Sequence, residues 1–213
     1  WSNIRKIQYH MDEPLADPAA IALYFVCNIA SQKVKVVLSG EGADEIFGGY
    51  NIYKEPNDMP AYNAIPKFIR RGIGAVAGAL PAKRGLNFLV RRSKDLEERF
   101  IGNAYMFSEK ERKALLKIHT NAPDAMKITM PFYDKVKDKD AVTKMQYLDL
   151  HLWMTGDILL KADKMSMANS LELRVPFLDK ELMAVAQRIP TKYRVTKEST
   201  KYAMRLAALK ATP

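Results

Sequence analysis

The chain has few of the residues that staple or ligate. One cysteine, Cys27, stands among 213 residues, so no internal disulfide and no cysteine metal cluster can form. Its place between Val26 and Asn28 in an apolar run reads as buried packing. The three histidines, His10, His119 and His151, share no metal-ligand spacing and have no serine or cysteine motif beside them, so they are assigned no role. No apolar run approaches the roughly 20 residues that cross a bilayer, and Trp1-Ser2-Asn3-Ile4-Arg5 has no signal-peptide pattern. The expectation is a cytoplasmic protein with no membrane partner. Internal repeats and low-complexity tracts are also missing.

What is present is ordinary for a globular chain: 48% hydrophobic and 27% charged residues, enough for one sizeable core or one core plus a small appendage. The net charge of +10 is less ordinary. Much of the excess lies between Lys67 and Arg99, with Arg70-Arg71, Lys83-Arg84 and Arg91-Arg92 spaced among apolar residues. Such a stretch could meet nucleic acid or a membrane surface. The pairs are dispersed and lack interleaved aromatics for base stacking, so solvated helix faces are the preferred reading and no nucleic-acid partner is expected. The start at Trp1 and the stop at Lys210-Ala211-Thr212-Pro213, inside a helical pattern, read as a piece of a longer polypeptide.

The richest stretch runs from Val34 to Tyr50 and contains VVLSGEGADEIFGGY. Val34 to Leu38 is short, valine-rich and bounded by turn formers, which suits a central parallel strand covered on both faces. Its neighbours are expected upstream of Trp1, because nothing downstream resembles a second strand of that quality. Gly40 and Gly42 allow unusual dihedrals and close approach of a ligand, and the carboxyl end of a strand leading into a helix is where open α/β sheets bind nucleotides. Glu41, Asp44 and Glu45 would repel a bare triphosphate. A site here therefore needs a divalent cation between carboxylate and phosphate, or a cationic amino group on the substrate. The alternative is that Asp44 and Glu45 only complement a helix dipole.

The rest of the chain reads mostly as helix. Asp17 before Pro18 is a cap with proline at the first helical position, and Ala19 to Ala30 is apolar all round, hence buried. Helical segments between Tyr62 and Val90 are broken at Pro66 and Pro81, and two more lie between Glu97 and Ile118, the second opened by the Ser108/Glu111 capping box. Thr120 to Asp140, with Pro123, Pro131 and a charge run, reads as a surface connection. Met145, Leu148 and Leu152 share a helix face that should pause at Thr155-Gly156, with Asp157 capping a helix through Asn169. On that helix Ile158, Ala162 and Met165 mark the apolar side, while Lys161 and Lys164 share a flank with Asp163 between them. This charge group is either a solvated face or a cationic flank that offsets phosphate charge developing in a transition state. Leu171 to Val175 alternates as an extended segment, in which Glu172 and Arg174 form an ion pair or contact substrate. Asp179 caps the next helix, and Ser199 to Lys210 forms a last one with Lys201 and Arg205 on one face.

VVLSGEGADEIFGGY, followed by LLKADKMSMANSLELRVPFLD, closely resembles the synthetase domain of glutamine-dependent asparagine synthetases. Asp12-Glu13-Pro14 with Ala16-Asp17-Pro18, and Lys201-Tyr202-Ala203-Met204-Arg205, resemble further landmarks in the same order. The resemblance covers residues 1–213 as a partial domain, with 1–50 as the strand and loop edge of the nucleotide site and 51–213 as the helical part. It implies a predominantly α piece of an α/β adenine-nucleotide-hydrolase-like (ATP pyrophosphatase) domain with one recognisable parallel strand at 34–38. The implied chemistry is activation of aspartate by ATP as β-aspartyl-AMP, followed by attack of ammonia derived from glutamine. By resemblance Ser39 and Gly40 contact the nucleotide, Asp44 binds Mg²⁺ and Glu41 lies at the aspartate or intermediate site. Lys161 faces the acyl-adenylate, and Glu45, Asp163 and Arg174 belong to the pocket or its framework.

The family's serine-glycine-glycine-x-aspartate-serine phosphate loop and its glutaminase cysteine do not occur in the chain, and a basic glycine-phenylalanine segment would lie beyond Pro213. The expectation is one wall of a site, inactive in isolation, partnered by an N-terminal glutaminase domain and a phosphate-loop half, with a homodimer left open. A sister enzyme such as a β-lactam synthetase, or a non-enzymatic basic helical module, are the competing readings. Glu41 favours the asparagine synthetase.

Overall fold

In the computed structural model residues 2–13, 17–81, 85–103, 105–118 and 121–211 are described. Lys83-Arg84, His119, Thr120, the Pro14 and Ala16 landmarks and the final Thr212-Pro213 lie outside them. Two compact units form: Trp1–Tyr50 with Asp149–Pro213, and Asn51–Leu148.

The first unit opens with α1 (Ile4–Met11) and α2 (Ala19–Ser31). Asp17 starts α2 as its sequence suggests: its Oδ1 accepts the Ala19 N–H at 2.8 Å, and Pro18 sits in helical dihedrals. Ala20, Tyr24 and Cys27 pack inward, and α1 contributes Ile7 and Met11 to the same core. The expectation of a helix buried all round fails, since Phe25, Val26 and Ile29 are 43, 62 and 67% exposed. Strand β1 (Val36–Leu38) follows, and α3 (Ala43–Phe47) leaves its loop.

The second unit holds α4 (Pro60–Asn63), α5 (Lys67–Ala79), α6 (Leu86–Arg92), α7 (Leu96–Arg99), α8 (Glu109–Leu115) and α9 (Ala125–Lys135). Ser108 and Glu111 make the expected reciprocal cap on α8. The basic stretch is not simply a solvated face. Arg92 is 2% exposed, and Arg91 and Arg99 close on the Glu55 carboxylate at 2.9 Å each. Lys67 pairs with Asp95 and Arg71 with Glu98. Nor is the segment before Asp140 merely a connection. Asp124 caps α9 through the Met126 N–H, and Thr129 and Tyr133, one turn apart, are buried, with Tyr133 donating to the Phe100 carbonyl at 2.6 Å. Pro131 hides this helix from pattern reading because it removes an interior donor, a loss that burial offsets.

Helix α10 (Ala141–His151) carries the chain back into the first unit. It does not stop at Gly156. A π-helical turn, Met154–Ile158, continues directly into α11 (Leu159–Met167), with Asp157 turned inward instead of capping. Ile158, Ala162 and Met165 are buried, as their spacing suggests. Strand β2 (Glu172–Arg174) then pairs in parallel with β1, Val37 opposite Leu173. The partner strand is thus downstream of β1, contrary to expectation. Its polar residues at 172 and 174 mask it, because both strands are exposed at alternate positions and neither is covered on two faces. Helices α12 (Lys180–Ala186), α13 (Thr191–Arg194) and α14 (Tyr202–Ala211) complete the unit, with Asp179 capping α12 as expected. A second core forms where Ile46 and Phe47 meet Ala186, Leu182 and Met204.

Candidate active site

The loop after β1 is set by its backbone. The Ser39 N–H donates to the Arg174 carbonyl at 2.8 Å, which extends the ladder one residue and points the chain off the sheet. Gly42 has φ 92°, a left-handed conformation that starts α3 without a Cβ. Gly40 is not among the residues of positive φ, and a Cβ built on it meets nothing within 4 Å; its role is open space beside the strand end, not an unusual dihedral. Gly48, at φ 72°, ends the helix after one turn. Gly49 then lies so close under Asp44 that a Cβ there would sit 1.8 Å from the carboxylate Oδ1.

The three carboxylates of the loop part company. Glu45 is buried and accepts the Tyr50 hydroxyl at 2.5 Å, while the Trp153 indole N–H donates to the same hydroxyl at 3.2 Å. Burial pushes Glu45 above the usual carboxylate range, and burial beside Glu45 pushes the Tyr50 phenol up strongly. Asp44 is half-open, with the Lys201 ammonium 3.0 Å from Oδ1. Glu41 is half-buried and is raised chiefly by burial, with Lys161 opposing and Asp44, Asp157 and Asp17 reinforcing.

Those influences locate the second wall. Lys161, 5% exposed on α11, pairs with Asp17 from the start of α2 and with Asp157 at 3.4 Å. The latter contact joins residues four apart, neighbours on one helix face, with Asp157 in the π turn and Lys161 in the first turns of α11. Burial alone would lower the Lys161 pKa, but the two carboxylates outweigh it and raise it. Asp17 is pushed up by burial yet ends below the ordinary aspartate value because of Lys161 and the Ala19 N–H. Asp157 remains raised, through burial. Among the described residues the ammonium has two acceptors, the Asp17 and Asp157 carboxylates, for its three donors.

Asp17 has a pH consequence with a definite sign. Its depressed pKa means that the stabilisation is fully in place above about 3.8, the ordinary aspartate value, and is lost as pH falls through the lower folded value. The Asp17→Asn protein is expected to unfold at lower urea than wild type at pH 7, the gap closing below about pH 3.8. A gap constant from pH 7 to pH 3 in equilibrium unfolding would show that the pair contributes nothing through charge.

Of the sequence-derived site residues, Ser39, Gly40, Glu41, Asp44 and Glu45 lie together, and Lys161 lies within electrostatic reach of Glu41. Asp163 is exposed, with its carbonyl accepting the Ser166 hydroxyl. The Arg174 side chain is exposed and pairs with Glu172 at 2.8 Å, although its carbonyl frames the loop. Lys164 pairs with Asp12. Three residues of the site are missing from the predicted site residues: Asp17 and Asp157, read as helix caps, and Lys201, read on a helix face. Asp157 stands four residues before Lys161, a signal that was available. Asp17 and Lys201 both lie in the family landmarks quoted above, which give them no role of their own.

Among the described residues no group of three histidine, cysteine or acidic side chains is arranged to hold a metal. Asp44 offers one half-open carboxylate, and a divalent cation there would complete its shell with oxygen ligands from outside the protein.

The family model described as asparagine synthase matches residues 2–213. An asparagine synthetase (glutamine-hydrolysing) of Bacillus subtilis is 48% identical over 97% of this chain and 33% of its own length. A Mycobacterium tuberculosis protein provisionally named asparagine synthetase (glutamine-hydrolysing) is 49% identical over 95% of this chain and 31% of its own length. A Penicillium rubens protein named amidase chyE is 26% identical over 85% of this chain and 30% of its own length. The chain thus spans about a third of the length of these relatives. No solved structure matches.

Proposed function

Because the chain belongs to the asparagine synthase family, we propose that it supplies one wall of a site that adenylates aspartate with ATP and passes the β-aspartyl group to ammonia. The observation that carries this reading is the convergence of the β1 loop, with Glu41 and Asp44, on the Lys161 ammonium held between Asp17 and Asp157. Four carboxylates and two lysines in one neighbourhood attract a cationic amino group and a metal-borne nucleotide together, which a purely basic site would not do.

Ser39 and Gly40 bind the nucleotide at the open strand end, where no Cβ intrudes. Asp44 would hold a magnesium ion, which when bound offsets phosphate charge. Glu41 orients the amino group of aspartate, and burial of Glu41 strengthens that attraction. Lys161 stays protonated and turns its remaining donor to the acyl-adenylate. Glu45 is framework, fixing Tyr50 and Trp153 beneath the loop. Asp163 and Arg174 support the helix and strand that carry the pocket. The exposed apolar residues Phe25, Val26, Val36 and Leu38 support a further part of the α/β domain, including the phosphate loop, packing on this side. Glutamine-derived ammonia, a glutaminase domain and a cytoplasmic setting belong to the same reading. Among the described residues no helix is long and apolar enough to cross a membrane.

The test is exchange of labelled pyrophosphate into ATP by the full-length protein, expected to require both Mg²⁺ and aspartate. The 213-residue chain alone is expected to give none. Exchange driven by a different carboxylic acid, and not by aspartate, would move the protein to the β-lactam-synthetase or amidase side of the family. No exchange, with steeply salt-dependent binding to nucleic acid, would leave a basic binding module.

A further inference from the structure

Lys201 lies just before α14, not within it, and its backbone is held at φ 50°, a left-handed conformation unusual for a side-chain-bearing residue. The surroundings fix it there. Its N–H donates to the Gly48 carbonyl at 3.3 Å, and its carbonyl accepts the Arg205 N–H at 2.9 Å. The Arg205 Nε binds the neighbouring Thr200 carbonyl at 2.9 Å, and Thr196 and Ser199 close the preceding turn through backbone and hydroxyl bonds of 2.8 Å. A strained conformation supported from several sides delivers one side chain, and that side chain ends 3.0 Å from the Asp44 carboxylate.

The two lysines of the site are held differently. Lys161 is buried, with its side chain 6% exposed between partners 19 and 9% exposed. The Lys201–Asp44 pair is open, at 25 and 38%. An exposed pair of this kind is weak enough for a divalent cation to displace it. Asp44 also lies within electrostatic reach of Glu41 and Glu45, so a positive charge beside it relieves carboxylate repulsion when no metal is present. Building on the proposed adenylation site, we propose that Lys201 is the resident counter-ion of Asp44. It holds the carboxylate in place until a divalent cation takes over, and its ammonium is then free to turn to the phosphates of the arriving nucleotide.

The test uses Mn²⁺ alone, titrated by electron paramagnetic resonance into the full-length protein without nucleotide. Lys201→Met is expected to bind Mn²⁺ at Asp44 about threefold more tightly or better, because the competing ammonium is gone. Lys201→Arg should stay near wild type, and Asp44→Asn should remove the site in either background. In pyrophosphate exchange Lys201→Met should show a raised KM for Mg-ATP. Unchanged or weaker Mn²⁺ binding by Lys201→Met, or binding that survives Asp44→Asn, overturns the proposal. A wild-type protein that fails to exchange pyrophosphate with aspartate refutes the adenylation reading, while the Mn²⁺ titration still decides whether Lys201 and a metal compete for Asp44.

Discussion

Gly49→Ala is expected to lower aspartate-dependent pyrophosphate exchange about 100-fold while the full-length protein stays folded. The added methyl would sit 1.8 Å from Asp44 Oδ1 and 2.8 Å from the Asp44 Cα, so side chain and backbone must both retreat. A displacement of about 1 Å in a positioned charged group is enough to cost about two orders of magnitude. Gly49 is not in the left-handed region, so backbone strain is not the cause. Gly40→Ala is the contrast, because its methyl meets nothing within 4 Å in the free protein. It should melt like wild type and lose affinity for ATP alone. Exchange by Gly49→Ala within threefold of wild type would show that the placement of Asp44 does not matter to the reaction.

The second large effect is expected at Lys161. Lys161→Met leaves Asp17 and Asp157 facing each other without their cation, and breaking a buried ion pair from one side costs about 3 kcal/mol or more. Denaturant unfolding should report that loss at pH 7. The deficit should shrink in mild acid, since two adjacent carboxylates without a cation take up a proton above their ordinary range. Lys161→Arg retains the charge and should recover most of the stability, but its rigid planar fork should not recover exchange. Full exchange by Lys161→Arg would assign Lys161 to structure and not to the acyl-adenylate. A Lys161→Met protein as stable as wild type would mean the three-residue cluster is not coupled at all.

Much of the local structure was legible in the sequence because it depends on neighbours along the chain. Asp17 with Pro18, Ser108 with Glu111 and Asp179 each announce a helix start, and the structure has all three. The β1 loop was equally legible, since crowded glycines and carboxylates after an apolar strand make a poor turn and a reasonable site. What failed depends on distant partners. Strand β2 is recognisable only beside β1, and Arg92 turns inward to donate to the Asp58 carbonyl, 34 residues earlier in the chain. The α9 helix survives an interior proline because Tyr133 reaches the Phe100 carbonyl. Lys201 looked helical because its spacing to Arg205 is helical, yet the turn closed by Thr196 and Ser199 places it outside, where it meets Asp44.

The π turn at Met154–Ile158 also sets an angular phase. One residue more than an α-helical turn requires shifts everything after it by one position, and each position is about 100° around the helix axis. Without that offset, the face carrying Ile158, Ala162 and Met165 and the face carrying Lys161 would each rotate about a quarter turn, taking the core stripe and the ammonium out of register together. The wide turn is therefore the point at which the phase of α10 is reset, so that one helix can bury its apolar stripe and still aim its lysine at the residues from the start of the chain.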